Sequence, residues 1–210
     1  MKIVSIDKVP RSRQRLVIHF DVGESLELSA EMVTAAGLAI GTVVDAEERS
    51  ALQHRDQAWS ARETALRMLE YRPRTETELR RRLRRDGIPA EIIDECVARL
   101  REQRLIDDGT FAEIFTRDRV RLKPRGRRML IQELRGRGVE EHTAAAAIDA
   151  VLAEEEVDEL ELAREATRRW RPRPGEEPLR ARRRLAGFLA RRGFGGEVTQ
   201  QIIEEVLPRD

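Results

Sequence analysis

Cysteine, lysine, aromatic residues and long apolar runs are all scarce in this chain of 210 residues. Cys96 is the only cysteine, so no internal disulfide can form, and the composition suits a reducing compartment. No stretch approaches the roughly 18 apolar residues of a membrane span. The N-terminus also lacks the apolar core of a signal peptide. We therefore expect a cytoplasmic protein without a transmembrane helix.

Sequence signatures of catalysis and of metal binding are missing as well. His19, His54 and His142 are scattered, without cysteine or carboxylate neighbours at ligand spacing. The chain has no glycine-rich phosphate loop, no G-x-S-x-G, no H-E-x-x-H and no C-x-x-C. The acidic stretch Asp107-Asp108-Gly109 fits the start of a helix better than a metal loop. We therefore expect a protein that is not an enzyme and that needs no metal and no cofactor.

Aromatic residues make up only 4% of the chain, whereas charged residues make up 38%. A compact globule of this size usually contains more large apolar side chains, but an array of small amphipathic helical units needs fewer. Of the 40 basic residues all are arginine except Lys2, Lys8 and Lys123, and the formal net charge is only +1. Arginine binds phosphates and carboxylates in a bidentate manner, so the bias suits nucleic acid or acidic protein surfaces. A GC-rich genome explains the same bias equally well.

The first fifty residues differ from the rest of the chain. KIVSIDKV and RLVIHFDV alternate apolar and polar residues and predict two strands, joined by a turn at residues 10–13. SLELS predicts a third short strand, after which Ser29 should cap a short helix that runs through Ala36 and stops at Gly37. We expect a small β-rich N-terminal cap at residues 1–50. Residues 45–71 could form one long helix or two.

An internal repeat appears when Gly87, Gly138 and Gly193 are aligned, at spacings of 51 and 55 residues. Apolar residues match in all three copies at five positions relative to each glycine: Leu79, Leu130 and Leu185; Leu83, Leu134 and Leu189; Ile88, Val139 and Phe194; Val97, Ile148 and Ile203; Leu100, Val151 and Val206. Self-similarity at this period is typical of repeat architectures. We predict a mainly α fold with three tandem three-helix repeats in an elongated array. The predicted bounds are 51–106 with a lead-in helix, 107–155 and 156–210.

One repeat can be followed helix by helix. Helix A covers residues 60–71 and ends at Arg72-Pro73-Arg74, after which Thr75 should cap helix B, with Glu78 completing a capping box. Helix B ends at Gly87, the expected glycine after a helix C-terminus. Pro89 should start helix C, whose apolar stripe is Ile92, Ile93, Cys96, Val97 and Leu100.

The other two repeats follow the same scheme. Pro124 lies in the link between helices A and B of the second repeat, and a longer proline-rich link, residues 171–175, serves the third. The apolar residues that we expect on the three A helices are Ala65, Leu66 and Leu69; Phe111, Ile114 and Phe115; Leu162, Ala166 and Trp170.

Helix B of the first repeat carries the strongest charge feature. Leu79 and Leu83 lie within about 40° of each other on a helix, and four arginines cover the opposite half of the cylinder. Basic residues recur near helix B of the other repeats, whereas acidic residues concentrate elsewhere. If the repeats stack in register, this predicts a basic rim and an acidic rim, and a merely solvated acidic stretch is the alternative. The predicted binding surface comprises Arg72, Arg74, Arg80, Arg81, Arg84, Arg85, Lys123, Arg125, Arg127, Arg128 and Arg135. It suits a phosphate backbone or an acidic protein, and a merely solvated face is the alternative. No aromatic residue interrupts it, so base stacking is not expected.

Three segments together resemble a known family. TETELRRRLRRDGIPAEIIDECVARL, then RLIDDGTFAEIF, then KPRGRRMLIQELRGRGV are similar, in this order, to the RecX family of recombination regulators. The resemblance is strongest from about residue 60 to residue 152, and the first fifty residues resemble the β-rich extension of longer members. The third repeat departs most, because its link between helices A and B is long and rich in proline.

The resemblance implies a bacterial protein that binds the RecA recombinase along the groove of the RecA–DNA filament. It implies that the protein restrains strand exchange, ATP hydrolysis and co-protease activity, and that it has no catalytic residues. Direct binding to single- or double-stranded DNA is a further implication, since some members bind DNA. We expect the chain to act as a monomer. The alternative function is sequence-independent DNA binding without RecA.

Overall fold

The computed structural model describes residues 1–10 and 14–208, which divide into two compact units. The first unit comprises Met1–Arg72 and Leu79–Gln103, and the second comprises Pro73–Glu78 and Arg104–Asp210. In the described part of the chain, no helix has both the length and the apolar character needed to cross a membrane. The fold is mainly helical with a small N-terminal sheet, as predicted.

The N-terminal sheet has three antiparallel strands in sequential order, β1 (Ile3–Lys8), β2 (Arg15–Phe20) and β3 (Leu26–Ser29). The side chains of Ile18 and Leu28 are fully buried on its inner face. Ser29 caps α1 (Ala30–Ala35), because its side chain accepts a hydrogen bond from the amide of Met32. The predicted strands and the capped helix are therefore confirmed, whereas residues 11–13 of the predicted turn lie outside the described residues.

Residues 46–71 form one continuous helix, α2 (Ala46–Tyr71), so the open choice between one helix and two is resolved. Asp45 and Glu48 form a reciprocal capping box at its start. The buried carboxylate of Asp56 accepts hydrogen bonds from the guanidinium of Arg15 and from the amide of Ser29, both at 2.7 Å. These two bonds fix α2 against the sheet of the same unit.

The remaining helices fall into three groups. The C-terminal half of α2 is followed by α3 (Glu76–Arg85) and α4 (Ala90–Glu102). The second group is α5 (Asp108–Leu122), α6 (Arg127–Arg135) and α7 (Glu141–Glu154). The third is α8 (Glu159–Thr167), α9 (Pro178–Ala190) and α10 (Gly196–Val206). Three three-helix repeats in tandem are therefore confirmed.

The three aligned glycines end helix B in the same way. Gly87, Gly138 and Gly193 have φ values of 79°, 91° and 83°, in the left-handed region that an amino acid with a Cβ rarely adopts. After each glycine the next amide donates back to the leucine carbonyl five residues earlier, at 3.1 to 3.2 Å, as in a Schellman motif. The leucines are Leu83, Leu134 and Leu189, which explains why they form one of the repeated apolar positions.

Each repeat buries its own apolar stripe. In the first, all five predicted residues of α4 are buried, including Cys96. In the second, Phe111, Leu130 and Ile148 belong to one core cluster. The core cluster of the third repeat contains Leu162 and Leu185, and Val120 and Leu152 of the second repeat pack against it. The second and third repeats therefore share a core within the second unit.

Two predicted residues of the A helices are placed differently. Ile114 lies on α5, but its side chain is 40% exposed, because the buried positions around it are Ala112, Phe115 and Thr116. Trp170 is buried as expected, but it lies beyond the end of α8 at Thr167 and not on the helix. The helical spacing alone did not show where α8 ends.

Consecutive repeats meet through equivalent groups inside the second unit. The hydroxyl of Thr75, which caps α3, donates to the carbonyl of Arg137 at 2.7 Å. The amide of Gly126, which occupies the same position before α6, donates to the carbonyl of Arg192 at 2.9 Å. Each accepting carbonyl immediately precedes an aligned glycine, and the spacing between Thr75 and Gly126 is one repeat. The glycine of one repeat thus packs against the start of helix B of the repeat before it.

Candidate partner-binding surface

The solvent-facing side of α3 carries three arginines without an ion pair among the described residues: Arg81, Arg84 and Arg85. Leu79 and Leu83 are fully buried on the opposite side of this helix. At 100° per residue the three arginines span an arc of about 100°, centred opposite the leucine stripe. Their side chains are exposed, and α3 therefore presents a concentrated positive charge to solvent. We call these three residues the α3 arginine face.

Arg80 does not belong to the α3 arginine face, although the sequence placed it there. Its guanidinium forms an ion pair with Asp94 of α4, and its side chain is half-buried beside the leucine stripe. Arg82 forms an ion pair at 2.8 Å with Asp86, the residue that directly follows the end of α3. At 100° per residue Arg80 and Arg82 lie on opposite sides of the α3 arginine face, so these carboxylates neutralise both edges of the helix and leave the α3 arginine face between them.

Arg72 and Arg74, which precede α3, are both half-buried. Each already interacts with other groups of the protein. They therefore lack the freely exposed guanidinium groups of the α3 arginine face, although both remain near the start of the helix in the sequence.

Two of the five predicted basic residues of the second repeat are hydrogen-bonded to carboxylates. Arg127 binds Asp149 through two hydrogen bonds at 2.9 and 3.1 Å, and Arg135 binds Glu141 at 2.9 Å. Lys123 and Arg128 are exposed and have no ion pair in the described part of the chain.

The acidic stretch between the second and third repeats is also used within the fold. Glu154 and Glu155 form ion pairs with Arg117 and Arg121 of α5, both at 2.6 Å. Asp158 forms a capping box at the start of α8. At these positions acidic and basic side chains lie together, so the predicted separation into a basic rim and an acidic rim is wrong there.

A basic cleft that the sequence did not indicate lies between the second and third repeats, inside the second unit. Its volume is about 880 Å³. Seven basic residues and one acidic residue, Glu165, line it; the basic residues are Lys123, Arg125, Arg168, Arg169, Arg171, Arg184 and Arg192. Only Lys123 and Arg125 belong to the predicted surface. The other five come from the segment after α8, from α9 and from the residues that directly follow α9. The one available signal was the local run of arginines at residues 168–173.

Ion pairs and aromatic contacts hold the walls of this cleft. Arg184 lies over the ring of Trp170 at 4.4 Å and binds Glu176 at 2.9 Å. The hydrogen bond from Arg184 lowers the pKa of Glu176 to about 2, and the amide of Arg173 assists. Arg192 lies over the ring of Phe188 at 4.1 Å. Burial lowers the pKa of Arg192, and the charge of Arg125 lowers it further.

Comparisons with known proteins match the repeats one by one. Three family models, described as the first, second and third three-helix domains of RecX, match residues 61–100, 107–148 and 156–203. A regulatory protein RecX of Thermobifida fusca is 38% identical over 70% of this chain and 78% of its own length. A regulatory protein RecX of Streptomyces coelicolor is 35% identical over 74% of this chain and 82% of its own length.

The solved structures give the same result. A crystal structure of regulatory protein RecX superposes with a TM-score of 0.65 at 26% identity, and the match covers 98% of this chain and 100% of that one. The agreement therefore includes the N-terminal sheet as well as the repeats. With three matching domain models in the expected order and relatives above 30% identity over most of the chain, this protein belongs to the RecX family of regulatory proteins.

Proposed function

We propose that this chain regulates homologous recombination and DNA repair by binding RecA and the RecA–DNA filament in the cytoplasm. In this proposal it lowers the ATPase, strand-exchange and co-protease activities of the filament. It acts by binding and not by catalysis. Family membership supports a regulatory role, and the charged surfaces of the helices support a polyanionic or acidic partner.

The observation that carries the proposal is the α3 arginine face. Arg81, Arg84 and Arg85 are exposed on a helix whose other side is anchored by buried leucines. Lining up three like charges on one helix destabilises the free protein slightly, since like charges one turn apart repel. The repulsion is relieved when carboxylates or phosphates of a partner approach. A RecA–DNA filament offers both groups, carboxylates on its protein and phosphates on its DNA.

The repeated architecture supports binding at more than one point. Three repeats with similar helices offer several weak contacts, and each contact raises the effective concentration for the next. A filament, in which one protomer follows another, is the kind of partner that such a chain can engage repeatedly. The expected consequence is inhibition at a molar ratio below one chain per RecA protomer.

The test is a titration of the DNA-dependent ATPase of RecA with this chain and with a variant in which Arg81, Arg84 and Arg85 are all Gln. Glutamine keeps the helix propensity and removes the charge. We expect the unsubstituted chain to inhibit at substoichiometric concentration. The variant should need about tenfold more protein, which corresponds to about 1.4 kcal/mol of binding free energy.

A matched control is available on α2 of the same unit. Arg55, Arg62 and Arg67 are exposed there and have no ion pair within the described residues. Replacing these three by Gln removes the same charge from another helix and should leave the inhibition unchanged. An unchanged ATPase rate with the unsubstituted chain would refute the proposal. Equal losses in the two triple variants would refute the assignment of the α3 arginine face.

The second candidate function is sequence-independent DNA binding without RecA. The basic cleft of the second unit favours it, because guanidinium groups bind phosphates as readily as carboxylates. One observation distinguishes the two functions. The second function requires that the chain bind DNA in the absence of RecA and that this DNA binding account for all of the inhibition. If the chain inhibits only by covering the DNA, a large excess of DNA will abolish the effect.

A further inference from the structure

The basic cleft of the second unit is a concave site built from three separate segments. Lys123 and Arg125 come from the link between α5 and α6, Arg168 and Arg169 follow α8, and Arg192 follows α9. A volume of about 880 Å³ lies in the upper part of the range that small-ligand sites occupy. A ligand can therefore be surrounded by positive charge on several sides, which an exposed helix face does not provide.

The carboxylates near the cleft do not balance its charge. Glu165 is the one acidic lining residue, and its contact with Arg168 is long, at 3.5 Å. Glu176 is bound to Arg184. Subtracting these two carboxylates from the seven basic lining residues leaves five positive charges, and the one other carboxylate paired with a lining residue, Glu133 beside Arg125, is shared with Arg119.

Arg125 and Arg192 are the half-buried basic residues of the cleft that have no hydrogen-bonded carboxylate among the described residues. The carboxylate of Glu133 lies 3.7 Å from the Nε of Arg125, beyond hydrogen-bond distance, and it already accepts a hydrogen bond from Arg119 at 2.7 Å. The buried Nε of Arg125 consequently has no hydrogen-bond acceptor among the described residues. Arg192 has a pKa that is lowered by burial and by Arg125. Leaving a buried donor unsatisfied beside a like charge is costly, and a bound anion would relieve both costs.

The aromatic rings of the cleft do not offer free stacking surfaces. Arg184 lies over one face of Trp170, which is otherwise buried, and Arg192 lies over one face of the half-buried Phe188. Planar bases therefore have no open ring to stack on, whereas phosphate oxygens have many N–H donors within reach. The chemistry of the cleft selects for phosphate groups and is indifferent to the base.

We propose that this cleft is an oligophosphate site, which binds consecutive phosphate groups through Lys123, Arg125, Arg169 and Arg192. Two sources supply such groups, the backbone of a single nucleic-acid strand and the polyphosphate chain of a free nucleotide. The proposal deepens the second candidate function, on which its nucleic-acid arm rests, because it names the ligand chemistry and the residues of the site; the free-polyphosphate arm goes beyond that function.

The test measures binding to the full-length chain alone. Fluorescence anisotropy with a labelled 15-nucleotide oligo-dT measures binding of a nucleic-acid strand. Competition by ATP and by inorganic pyrophosphate measures binding of a free polyphosphate. The variant is Lys123→Gln with Arg169→Gln, because both side chains are exposed and have no ion pair in the described part of the chain. The control, Arg180→Gln with Arg183→Gln, removes two exposed charges of α9 that do not line the cleft.

We expect the cleft variant to bind the strand about tenfold more weakly at 50 mM salt, with the control near the unsubstituted chain. The slope of log affinity against log salt should become shallower by about 1.4, because each phosphate contact on a single strand contributes about 0.7. Oligo-dT and oligo-dA should bind alike. Displacement of the strand by millimolar ATP and pyrophosphate identifies free polyphosphate as a source, and failure to displace it identifies the strand alone.

Arg192→Gln provides a second, independent variant. It removes the partly buried charge beside Arg125 and should weaken strand and polyphosphate binding while circular dichroism shows an unchanged helix content. The proposal is overturned if neither oligonucleotide nor polyphosphate binds. It is also overturned if the cleft variant and the control lose affinity equally, because the binding would then follow total charge and not this cleft.

Discussion

Replacing the aligned glycines by alanine should give three different losses of stability, although the three glycines end equivalent helices. All three have positive φ, so alanine pays the left-handed cost of about 1–2 kcal/mol at each position. The surroundings of the new methyl group differ. Around Gly87, no atom of the described residues lies within 4 Å of an added Cβ. The expected cost of Gly87→Ala is therefore the backbone cost alone.

The other two glycines lie against the repeat before them. A Cβ at Gly138 would approach the side chain of Thr77 to 2.1 Å, and a different rotamer can relieve part of that clash. A Cβ at Gly193 would approach the backbone amide of Met129 to 2.3 Å, and the backbone at the start of α6 cannot move independently. Overpacking of this kind adds about 1–3 kcal/mol. We expect about 2–5 kcal/mol for Gly193→Ala, a smaller loss for Gly138→Ala and the smallest for Gly87→Ala.

Urea unfolding can measure these differences unit by unit. The chain has two tryptophans, with Trp59 in the first unit and Trp170 in the second. In a Trp59→Phe background, the fluorescence of Trp170 reports unfolding of the second unit, which contains Gly138 and Gly193. In a Trp170→Phe background, the fluorescence of Trp59 reports unfolding of the first unit, which contains Gly87. If Gly193→Ala costs no more than Gly87→Ala, the close packing between consecutive repeats contributes nothing, and the reasoning above is refuted.

Three further predictions concern single side chains. Glu176→Gln should lower the free energy of unfolding of the second unit at pH 7, as measured by urea titration. The difference from the unsubstituted chain should disappear as the pH falls from about 4.5 toward 2, because a carboxylate whose pKa is lowered on folding stabilises only while it is ionised. A difference that persists at pH 2 would contradict this. Asp56→Ala should lower the free energy of unfolding by about 3–5 kcal/mol, since it leaves Arg15 and the amide of Ser29 without their buried acceptor. A loss below 1 kcal/mol in chemical unfolding would show that α2 does not depend on this contact. Cys96 is buried, and burial raises its pKa, so its thiol should react with a disulfide reagent much more slowly in the folded chain than in urea; equal rates would place it at the surface.

The local features of the repeats could be predicted because each depends on a few consecutive residues. Thr75, Asp107 and Ser29 cap helices where a short polar side chain precedes an amphipathic stretch. The aligned glycines end helix B where the sequence expects it, because a positive φ selects glycine independently of the tertiary fold. Trp170 was assigned to a helix incorrectly because helical spacing continues past Thr167, whereas the chain leaves the helix there.

The sequence by itself determined the repeat period, the capping residues, the buried stripes and the arginine-rich character of helix B. Only the tertiary structure decided which arginines are neutralised, because an ion pair requires a separation of about 4 Å or less and packing sets that separation. Arg80 meets Asp94 and Arg127 meets Asp149 across helices, whereas Arg81 has no such partner among the described residues. The basic cleft arises for the same reason, since its charges come from segments up to about seventy residues apart that converge only when the second and third repeats share a core.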